Sequence, residues 1–212
     1  MRFLVLTDIH MRDRVIGWAN GLVETHDADA LMVLGDITQF GPPEWAGEFL
    51  SAFEVPIYAV HGNCDPPLVL GWIEKTAVSL HKAKIQLEGE TLIGLGGSNP
   101  TIFDTPNEQS EVEIYESLLP IMEKGAIMVT HCPPYGINDK TRHGHHAGSH
   151  SLLRISNEFR PKAWLAGHIH EARGIVEVDG TKYMNPGAAK DGFSGLLEIG
   201  GSIVMELLDR VD

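Results

Sequence analysis

Cysteine is scarce in this chain, which has only Cys64 and Cys132 among its 212 residues. Two thiols cannot form the disulfide framework that stabilises small secreted domains, so the fold must depend on a packed apolar core. A Cys64–Cys132 disulfide is chemically conceivable, but we expect both thiols to stay reduced in a cytoplasmic protein.

Long hydrophobic runs are also missing. The longest uninterrupted apolar segments have about five residues, whereas a membrane-spanning helix needs about 20. The opening segment MRFLVLTDIH has one arginine and a short apolar run without a small-residue cleavage site, unlike a secretory signal. We therefore expect a cytoplasmic protein with no membrane partner.

Basic residues are the third deficit, with 16 Lys and Arg against 29 Asp and Glu and a net charge of −13. Binding to bulk nucleic acid requires basic residues that neutralise phosphates, so we expect no bulk nucleic acid partner. A small phosphorylated substrate is not excluded, because two bound metal ions would add about four positive charges in one cleft.

Short apolar runs alternate with amphipathic segments along most of the chain. Uninterrupted apolar runs are typical of strands covered on both faces, and their alternation with helices indicates mostly parallel sheets. Residues 174–208 are instead predicted to form three or four antiparallel strands. We therefore predict an α/β fold of one domain over residues 1–212, with two sheets in the middle. The predicted strands are 2–7, 30–35, 56–60, 84–87, 91–95, 126–130 and 163–167, and the predicted helices are 15–25, 42–53, 108–124 and 149–159.

Side chains that can bind metal follow five of the predicted strands. Because the carboxyl ends of strands in α/β sheets form the ligand crevice, we expect these side chains to meet at one edge. Glycines at positions 35, 62 and 167 would let the backbone bend sharply beside the site. The candidate metal ligands are Asp8, His10, Asp36, Asn63, His131, His168 and His170.

The candidate ligands are carboxylates, an amide and imidazoles, with no thiolate among them. Such a set suits manganese, iron, zinc or nickel better than a cysteine-rich structural zinc. Seven donors are too many for one ion that keeps an open position, but they suit two ions about 3.5–4 Å apart that share a carboxylate. The sequence therefore predicts two divalent metal ions, with manganese as the first choice.

The order Asp-x-His, Gly-Asp, Gly-Asn, His and Gly-His-x-His over residues 8–170 resembles the calcineurin-like metallophosphoesterases. The segments GNCD, THCPP, GHIHEARG and MNPGAA are most similar to the small YfcE-type and archaeal phosphodiesterases of that superfamily. The resemblance implies a four-layer αββα sandwich with two central mixed β-sheets. It also implies a metal-dependent hydrolase of phosphoric esters.

The resemblance further implies a role for each matching position. Asp36 would bridge the two ions, and a hydroxide shared by the ions would attack phosphorus in line. We also expect each ligand histidine to donate its second N–H to a carbonyl or carboxylate. Asp8, His10 and His170 would hold the first ion, Asn63, His131 and His168 the second, and the residues expected to act in catalysis are Asp36, Asn63, Cys64 and His131.

Most members of the family have a histidine at the position of Cys64, and this histidine is thought to donate a proton to the leaving group. A thiol with an ordinary pKa of about 8.5 is poorly matched to that task. Its presence would favour diesters over monoesters with poor leaving groups. Alternatively, Cys64 only fills space beside Asn63. The role of Asp65, which usually orients the missing histidine, stays open.

Residues 138–150 form a loop with four histidines and two basic residues. One interpretation is a mobile lid whose cationic groups hold the substrate phosphate, and the other is a solvated polar loop. The glycine-rich segment 94–100 is interpreted as a turn after a strand, with Asn99 able to line the cleft. The predicted substrate-binding residues are Arg142, His143, His146 and Asn99.

We predict a dinuclear metal-dependent phosphodiesterase that acts on small phosphodiesters. A phosphomonoesterase or a nuclease of the same superfamily is an alternative, and the acidic balance weighs against the nuclease. A second alternative is a catalytically silent scaffold with this fold, like a retromer subunit, although a scaffold does not need a full ligand set. A homo-oligomer suits a chain of this size and family.

Overall fold

The computed structural model describes residues 1–210 and contains twelve strands and five α-helices within that range. The strands are β1 (Arg2–Leu6), β2 (Ala30–Val33), β3 (Ile57–Ala59), β4 (Val78–Ser79), β5 (Ala83–Leu87), β6 (Glu90–Leu95), β7 (Ile127–Thr130), β8 (Ala163–Leu165), β9 (Gly174–Val178), β10 (Thr181–Asn185), β11 (Phe193–Glu198) and β12 (Val204–Asp209). The helices are α1 (Arg14–Thr25), α2 (Pro43–Leu50), α3 (Leu68–Thr76), α4 (Glu111–Leu118) and α5 (His150–Phe159).

The strands form two six-stranded sheets, ordered β12-β11-β1-β2-β3-β4 and β5-β6-β7-β8-β10-β9. In the first sheet β1 to β4 are parallel, and β11 and β12 extend the sheet with antiparallel pairs. In the second sheet β6, β7, β8 and β10 are parallel, with antiparallel neighbours at both edges. Both sheets are therefore mixed, as predicted.

Alternate side chains of the buried strands point to opposite faces and separate three apolar cores. In β1, Leu4 and Leu6 pack towards α1 to α3, whereas Phe3 and Val5 pack towards the second sheet. A third core lies between the second sheet and helices α4 and α5. Helices thus cover the outer face of each sheet, which confirms the four-layer αββα sandwich.

The C-terminal strands are divided between the two sheets. Strands β9 and β10 belong to the second sheet, where β10 is parallel to β8, and β11 and β12 belong to the first. The prediction of antiparallel strands in this segment holds for the pairs β9–β10 and β11–β12. It misses the crossover between the sheets, because pairing with distant strands leaves no local signal in the sequence.

Helix α4 is shorter than the predicted helix 108–124, which is wrong at both ends. Ser110 caps the helix and forms a capping box with Glu113, so the helix begins after it. Pro120 ends the helix, because its ring cannot continue the helical hydrogen-bond ladder. Helix α3 lies in a segment for which we predicted no element.

Both cysteines are free, as expected, and both are buried. No helix within residues 1–210 is long and apolar enough to cross a bilayer. The loops that follow β1, β2 and β3 in the first sheet and β7 and β8 in the second come together, and they carry the candidate metal ligands.

Candidate metal centre

Asp8 lies at the centre of the first ligand group. One of its carboxylate oxygens, Oδ1, is 3.1 Å from Nε2 of His170 and 3.8 Å from Nε2 of His10. The two imidazole Nε2 atoms are 3.3 Å apart. The other oxygen, Oδ2, accepts hydrogen bonds from the Thr7 hydroxyl at 2.9 Å and the His168 amide at 3.1 Å. These bonds fix the carboxylate with Oδ1 towards the histidines.

Asp36 lies between this group and a second one. Its Oδ2 is 3.7 Å from Nε2 of His10, and its Oδ1 is 3.4 Å from Nε2 of His131. Nε2 of His131 is also 2.9 Å from Oδ1 of Asn63. The Cys64 amide donates to Oδ1 of Asp36 at 2.8 Å and holds the carboxylate in place. Each carboxylate oxygen of Asp36 therefore faces a different group of ligands.

His168 completes the set through its ring, whose centroid is 5.1 Å from that of His131. Burial and the nearby charge of His131 lower the pKa of His168 to about 4. The ring is therefore neutral near pH 7 and keeps a nitrogen lone pair that can bind a metal. The structure thus brings all seven predicted ligands together.

The backbone is strained at four of these ligands. Asp8, His10, Asp36 and His168 have φ angles of 54°, 46°, 50° and 67°, in the left-handed region that residues other than glycine seldom adopt. Such strain costs of order 1–3 kcal/mol per residue and is concentrated at functional sites. The turns after β1, β2 and β8 therefore position ligands at the expense of stability.

The three glycines beside the site meet different requirements. Gly35 has a φ of +99°, so it makes the sharp bend that we predicted. Gly62 has no such angle, but a β-carbon there would collide with the Asp36 carboxylate, and one at Gly167 would collide with Thr7 and Asp8. Positions 62 and 167 therefore need glycine for space rather than for bending.

The ionisable groups of the site shift one another's pKa values. Burial alone would raise the pKa of Asp36, but the charge and hydrogen bond of His131 lower it to about 2. Burial would lower the pKa of His131, but Asp36 and Asp8 raise it to about 9. For Asp8, burial is likewise outweighed by His170 and the other histidines, and its pKa is lowered. Both buried carboxylates are thus ionised at neutral pH, which is the form that binds a metal ion.

These residues fit divalent metal ions. Within residues 1–210, no lysine or arginine forms an ion pair with Asp8 or Asp36, whose ionic partners are all histidines. Buried carboxylates are normally paired with cations or bound to metals. Ligand atoms lie within 4.8 Å of one another in three groups, which are Asp8, His10 and His170; Asp8, Asp36 and His131; and His10, Asp36 and Cys64.

The second ring nitrogen has a hydrogen-bond partner in one ligand histidine and none in another. Nδ1 of His131 is 2.8 Å from the carbonyl oxygen of Leu34, as we expected for a metal ligand. Nδ1 of His10 is buried and has no hydrogen-bond partner within residues 1–210. The expectation that every ligand histidine has such a partner is therefore wrong for His10.

Thr105 and Glu108 orient Asn63, and the sequence did not reveal either of them. The Asn63 amide nitrogen is 2.9 Å from the Thr105 hydroxyl, which in turn donates to Oε1 of Glu108 at 2.6 Å. Although burial raises the pKa of Glu108, hydrogen bonds from Thr101 and Thr105 lower it to about 2, so the carboxylate only accepts. The hydroxyl must therefore accept from Asn63, whose Oδ1 is left to face His131.

Asp65 also has a definite role, which the sequence left open. It is fully buried and accepts hydrogen bonds from the amides of Ile37, Thr38 and Gly62 and from the Thr38 hydroxyl, at 2.7–3.2 Å. These bonds join the loop after β2 to the loop after β3. Asp65 therefore positions the two segments that carry Asp36 and Asn63.

Cys64 lies in the ligand group with His10 and Asp36, and 9% of its surface is exposed. Burial and the charges of Asp36, Asp65 and Asp8 raise the pKa of its thiol above the ordinary value. The thiol is therefore protonated at neutral pH and holds its proton more firmly than a free cysteine does.

The predicted substrate residues lie in two connected loops. Nδ1 of His146 is 2.6 Å from Oδ1 of Asp139, a buried carboxylate that also accepts from the amides of Gly136 and Gly148. Asp139, which we did not predict, thus fastens the loop 138–150 at its base. Asn99 donates from its side chain to the carbonyl of Ala147 at 3.3 Å.

Arg142 and His143 are exposed at the tip of the same loop. The Arg142 amide donates to Oε1 of Glu171 at 2.7 Å, next to the candidate ligand His170. Within residues 1–210, the buried Oδ1 atom of Asn99 has no hydrogen-bond partner. Contact of these residues with a substrate stays a prediction.

Comparison with known proteins identifies the family. The model of the Calcineurin-like phosphoesterase family matches residues 1–172. The uncharacterized protein MJ1162 of Methanocaldococcus jannaschii is 35% identical over 169 residues, which are 75% of this chain and 77% of that protein. The crystal structure of TT1561 of Thermus thermophilus is similar over 98% of both chains, with a TM-score of 0.75 and 16% identity. An archaeal phosphodiesterase is similar over 98% of this chain and 100% of its own, with a TM-score of 0.58 and 16% identity.

The family match includes all seven candidate ligands, from Asp8 to His170. The two solved structures share too little sequence to show more than the fold, and they agree with the four-layer sandwich. Ligand groups of aspartate and histidine lie at the edge where both sheets present their strand ends. The chain belongs to the calcineurin-like phosphoesterases.

Proposed function

We propose that this protein is a dinuclear metal-dependent phosphodiesterase that hydrolyses small phosphodiesters. The observation that carries the proposal is the position of Asp36, whose two carboxylate oxygens face His10 on one side and His131 on the other. A carboxylate that is shared in this way suits two metal ions better than one. The archaeal phosphodiesterase with the same fold supports the class of reaction.

The ligands divide into two sets around Asp36. Two divalent ions, with manganese as the first choice, would supply Lewis-acid stabilisation and lower the pKa of water to near neutrality. The chain contributes a rigid frame, in which Asp65 joins the ligand loops and Thr105 orients the Asn63 amide. The first set is Asp8, His10 and His170, and the second is Asn63, His131 and His168.

The expected disadvantage of alkyl monoesters follows from Cys64. Its thiol has a raised pKa and cannot supply a proton readily to a departing alkoxide. A leaving group must then depart as a stable anion, and this requirement most disfavours alkyl monoesters. Activated aryl esters and diesters with good leaving groups are therefore the proposed substrates.

A metal-reconstituted assay tests the proposal. Protein stripped of metal is supplied with Mn(II), Ni(II) or Zn(II), and turnover of bis(p-nitrophenyl) phosphate is compared with that of p-nitrophenyl phosphate. Asp36→Asn is the inactive variant, and Asp179→Asn at an exposed turn is the matched control. We expect metal-dependent diester turnover that Asp36→Asn abolishes and Asp179→Asn retains.

Two results would contradict the proposal in different ways. Faster turnover of the monoester than of the diester would overturn the substrate preference. It would show instead that the protein is a phosphomonoesterase. No turnover with any metal, in protein whose folding is verified by circular dichroism, would overturn the enzymatic function and favour a scaffold.

A further inference from the structure

A cavity of about 610 Å³ opens beside the metal centre, where the loop after β1 meets the short 3₁₀ helix Ala189–Asp191. Its volume lies within the range of about 300–1,000 Å³ that is typical of small-molecule sites. It contains none of the substrate contacts that we predicted from the sequence. The lining residues are Met11, Arg12, Asp13, Arg14, Lys190 and Asp191.

The backbone ties this cavity to the metal ligands. Met11 directly follows the candidate ligand His10, and the Lys190 amide donates to the carbonyl of Asp8 at 3.2 Å. The Arg14 guanidinium donates to the carbonyl of Lys190. The lining therefore belongs to the same rigid frame as the metal centre, and a molecule held at the ligands would lie next to it.

The cationic side chains of the cavity have no ionic partner. Within residues 1–210, Arg12, Arg14 and Lys190 form no ion pair, although the chain has a large excess of acidic residues. Asp13 is engaged elsewhere, because its carboxylate accepts a hydrogen bond from the Trp45 indole at 3.0 Å. Within the described residues, the lysines and arginines that form ion pairs include Arg2, Lys84, Arg154, Arg160, Lys162 and Arg173.

The start of α1 adds to the positive potential. The helix begins at Arg14, beside the cavity, and its N-cap residue Asp13 makes no side-chain cap hydrogen bond. A helix N-terminus carries a partial positive charge and favours anions. The lining also holds two carboxylates, Asp13 and Asp191, so three cations against two anions leave it a net charge of +1. Both carboxylates and both arginines are exposed, so water and salt screen their charges alike.

We propose that this cavity binds a second anionic group of the substrate, namely a phosphate monoester on the organic half of the scissile diester. Two guanidinium groups and one ammonium suit a dianion better than a single negative charge. This inference rests on the proposed phosphodiesterase function, since the scissile phosphate would occupy the metal centre next to the cavity. The natural substrate would thus carry two phosphates on one small molecule.

A pair of chromogenic diesters tests the proposal. Thymidine 5′-(p-nitrophenyl phosphate) has only the scissile phosphate, and its 3′-phosphorylated form adds the second anion without changing the leaving group. In the metal-loaded protein we expect a KM about tenfold lower for the 3′-phosphorylated ester, which corresponds to one charge-assisted contact. The double variant Arg12→Gln/Lys190→Gln should bring the ratio of the two KM values towards one.

Lys75→Gln/Lys124→Gln is the matched control, because it also removes two positive charges, from exposed positions outside the cavity lining, and should keep the ratio of the wild type. A ratio near one in the wild type, or an unchanged ratio in the double variant, would overturn the proposal.

Calorimetry separates this inference from the proposed function. The dissociation constants of thymidine 3′,5′-bisphosphate and thymidine 5′-monophosphate are measured on the metal-loaded protein, without any need for turnover. Tighter binding of the bisphosphate that is lost in the double variant supports the cavity as an anion site, even if neither ester is hydrolysed. Equal dissociation constants for the two nucleotides overturn the proposed anion site, whatever the turnover assay shows.

Discussion

The hydroxyl of Thr105 lies 2.9 Å from the amide nitrogen of Asn63, although 42 residues separate them in the chain. Since that hydroxyl donates its single proton to Glu108, it can only accept from Asn63. The Asn63 side chain is therefore held in one of its two amide orientations. Its oxygen faces His131, where a metal ion would need it, and its nitrogen faces away.

Thr105→Val removes this hydrogen bond with little change in side-chain shape. We expect the affinity for one of the two metal ions to fall by about 10–100-fold, the usual cost of losing such a supporting contact. Thr105→Ser keeps the hydroxyl and should restore the affinity. Thr101→Val is the control, because Thr101 also donates to Glu108 but does not contact Asn63. Titration calorimetry with Mn(II) measures the effect, and equal affinities in all four proteins would contradict this role of Thr105.

Gly62→Ala places a β-carbon against the carboxylate and the backbone of Asp36. We expect a loss of about 1–3 kcal/mol or more in the free energy of unfolding, as for other overpacked sites, together with weaker metal binding. Gly71→Ala is the control, because Gly71 lies within α3 with no atom near the added carbon, and alanine should stabilise that helix slightly. Urea unfolding of both variants checks the prediction, which fails if Gly62→Ala is as stable as the wild type.

Cys64→Ser tests whether the thiol supplies a proton in catalysis. Because burial and the surrounding carboxylates raise the pKa of the thiol, we expect kcat for bis(p-nitrophenyl) phosphate to change by less than about threefold, far from the 10²–10⁴-fold loss typical of a missing general acid. Cys132→Ser, a buried thiol outside the ligand groups, controls for packing. A loss of a hundredfold in Cys64→Ser alone would show that the thiol acts in proton transfer.

His81 makes the fold sensitive to acid. Burial, with the neighbouring charges of His61 and Lys82, lowers its pKa from 6.5 to about 3, and its Nδ1 accepts from the Gly96 amide at 3.0 Å. The unfolded chain therefore binds more protons than the folded one between about pH 6.5 and pH 3, so acidification through this window destabilises the fold. An asparagine at position 81 can accept the same hydrogen bond from the Gly96 amide, and it does not titrate.

We therefore expect the urea midpoint to fall more between pH 7.5 and pH 4.5 in the wild type than in His81→Asn. The other titrating groups are common to both proteins, so the difference measures His81 together with its interaction with the neighbouring His61 ring. Equal shifts in the two proteins would contradict the assignment of acid sensitivity to His81.

The sequence predicted the parts of the molecule that depend on local patterns. Uninterrupted apolar runs identified the buried strands, and the oxygen and nitrogen donors after them identified the ligands that the structure brings together. The N-terminus of α4 was also encoded locally by the capping residue Ser110, but we did not recognise this capping signal. Local chemistry therefore accounts for most of the layer order and for the donor set.

Features that depend on distant contacts could not be predicted. Asp65 bonds to Thr38, 27 positions away, and Thr105 bonds to Asn63, 42 positions away, and neither has a residue type that indicates this role. The left-handed backbone at Asp8 and His168 exists because the surrounding loops force it, whereas local preference would have favoured glycine. The cations around the cavity come from two distant segments, near residues 12 and 190.

The number of divalent ions bound per chain tests the central claim most directly. Metal-stripped protein is loaded with Mn(II), freed of excess metal, and measured by native mass spectrometry beside Asp36→Asn. We predict two ions per chain in the wild type and fewer than two in Asp36→Asn, because the shared carboxylate faces both ligand sets. A wild type that binds one ion or none, or an Asp36→Asn variant that still binds two, would contradict a dinuclear centre built on Asp36.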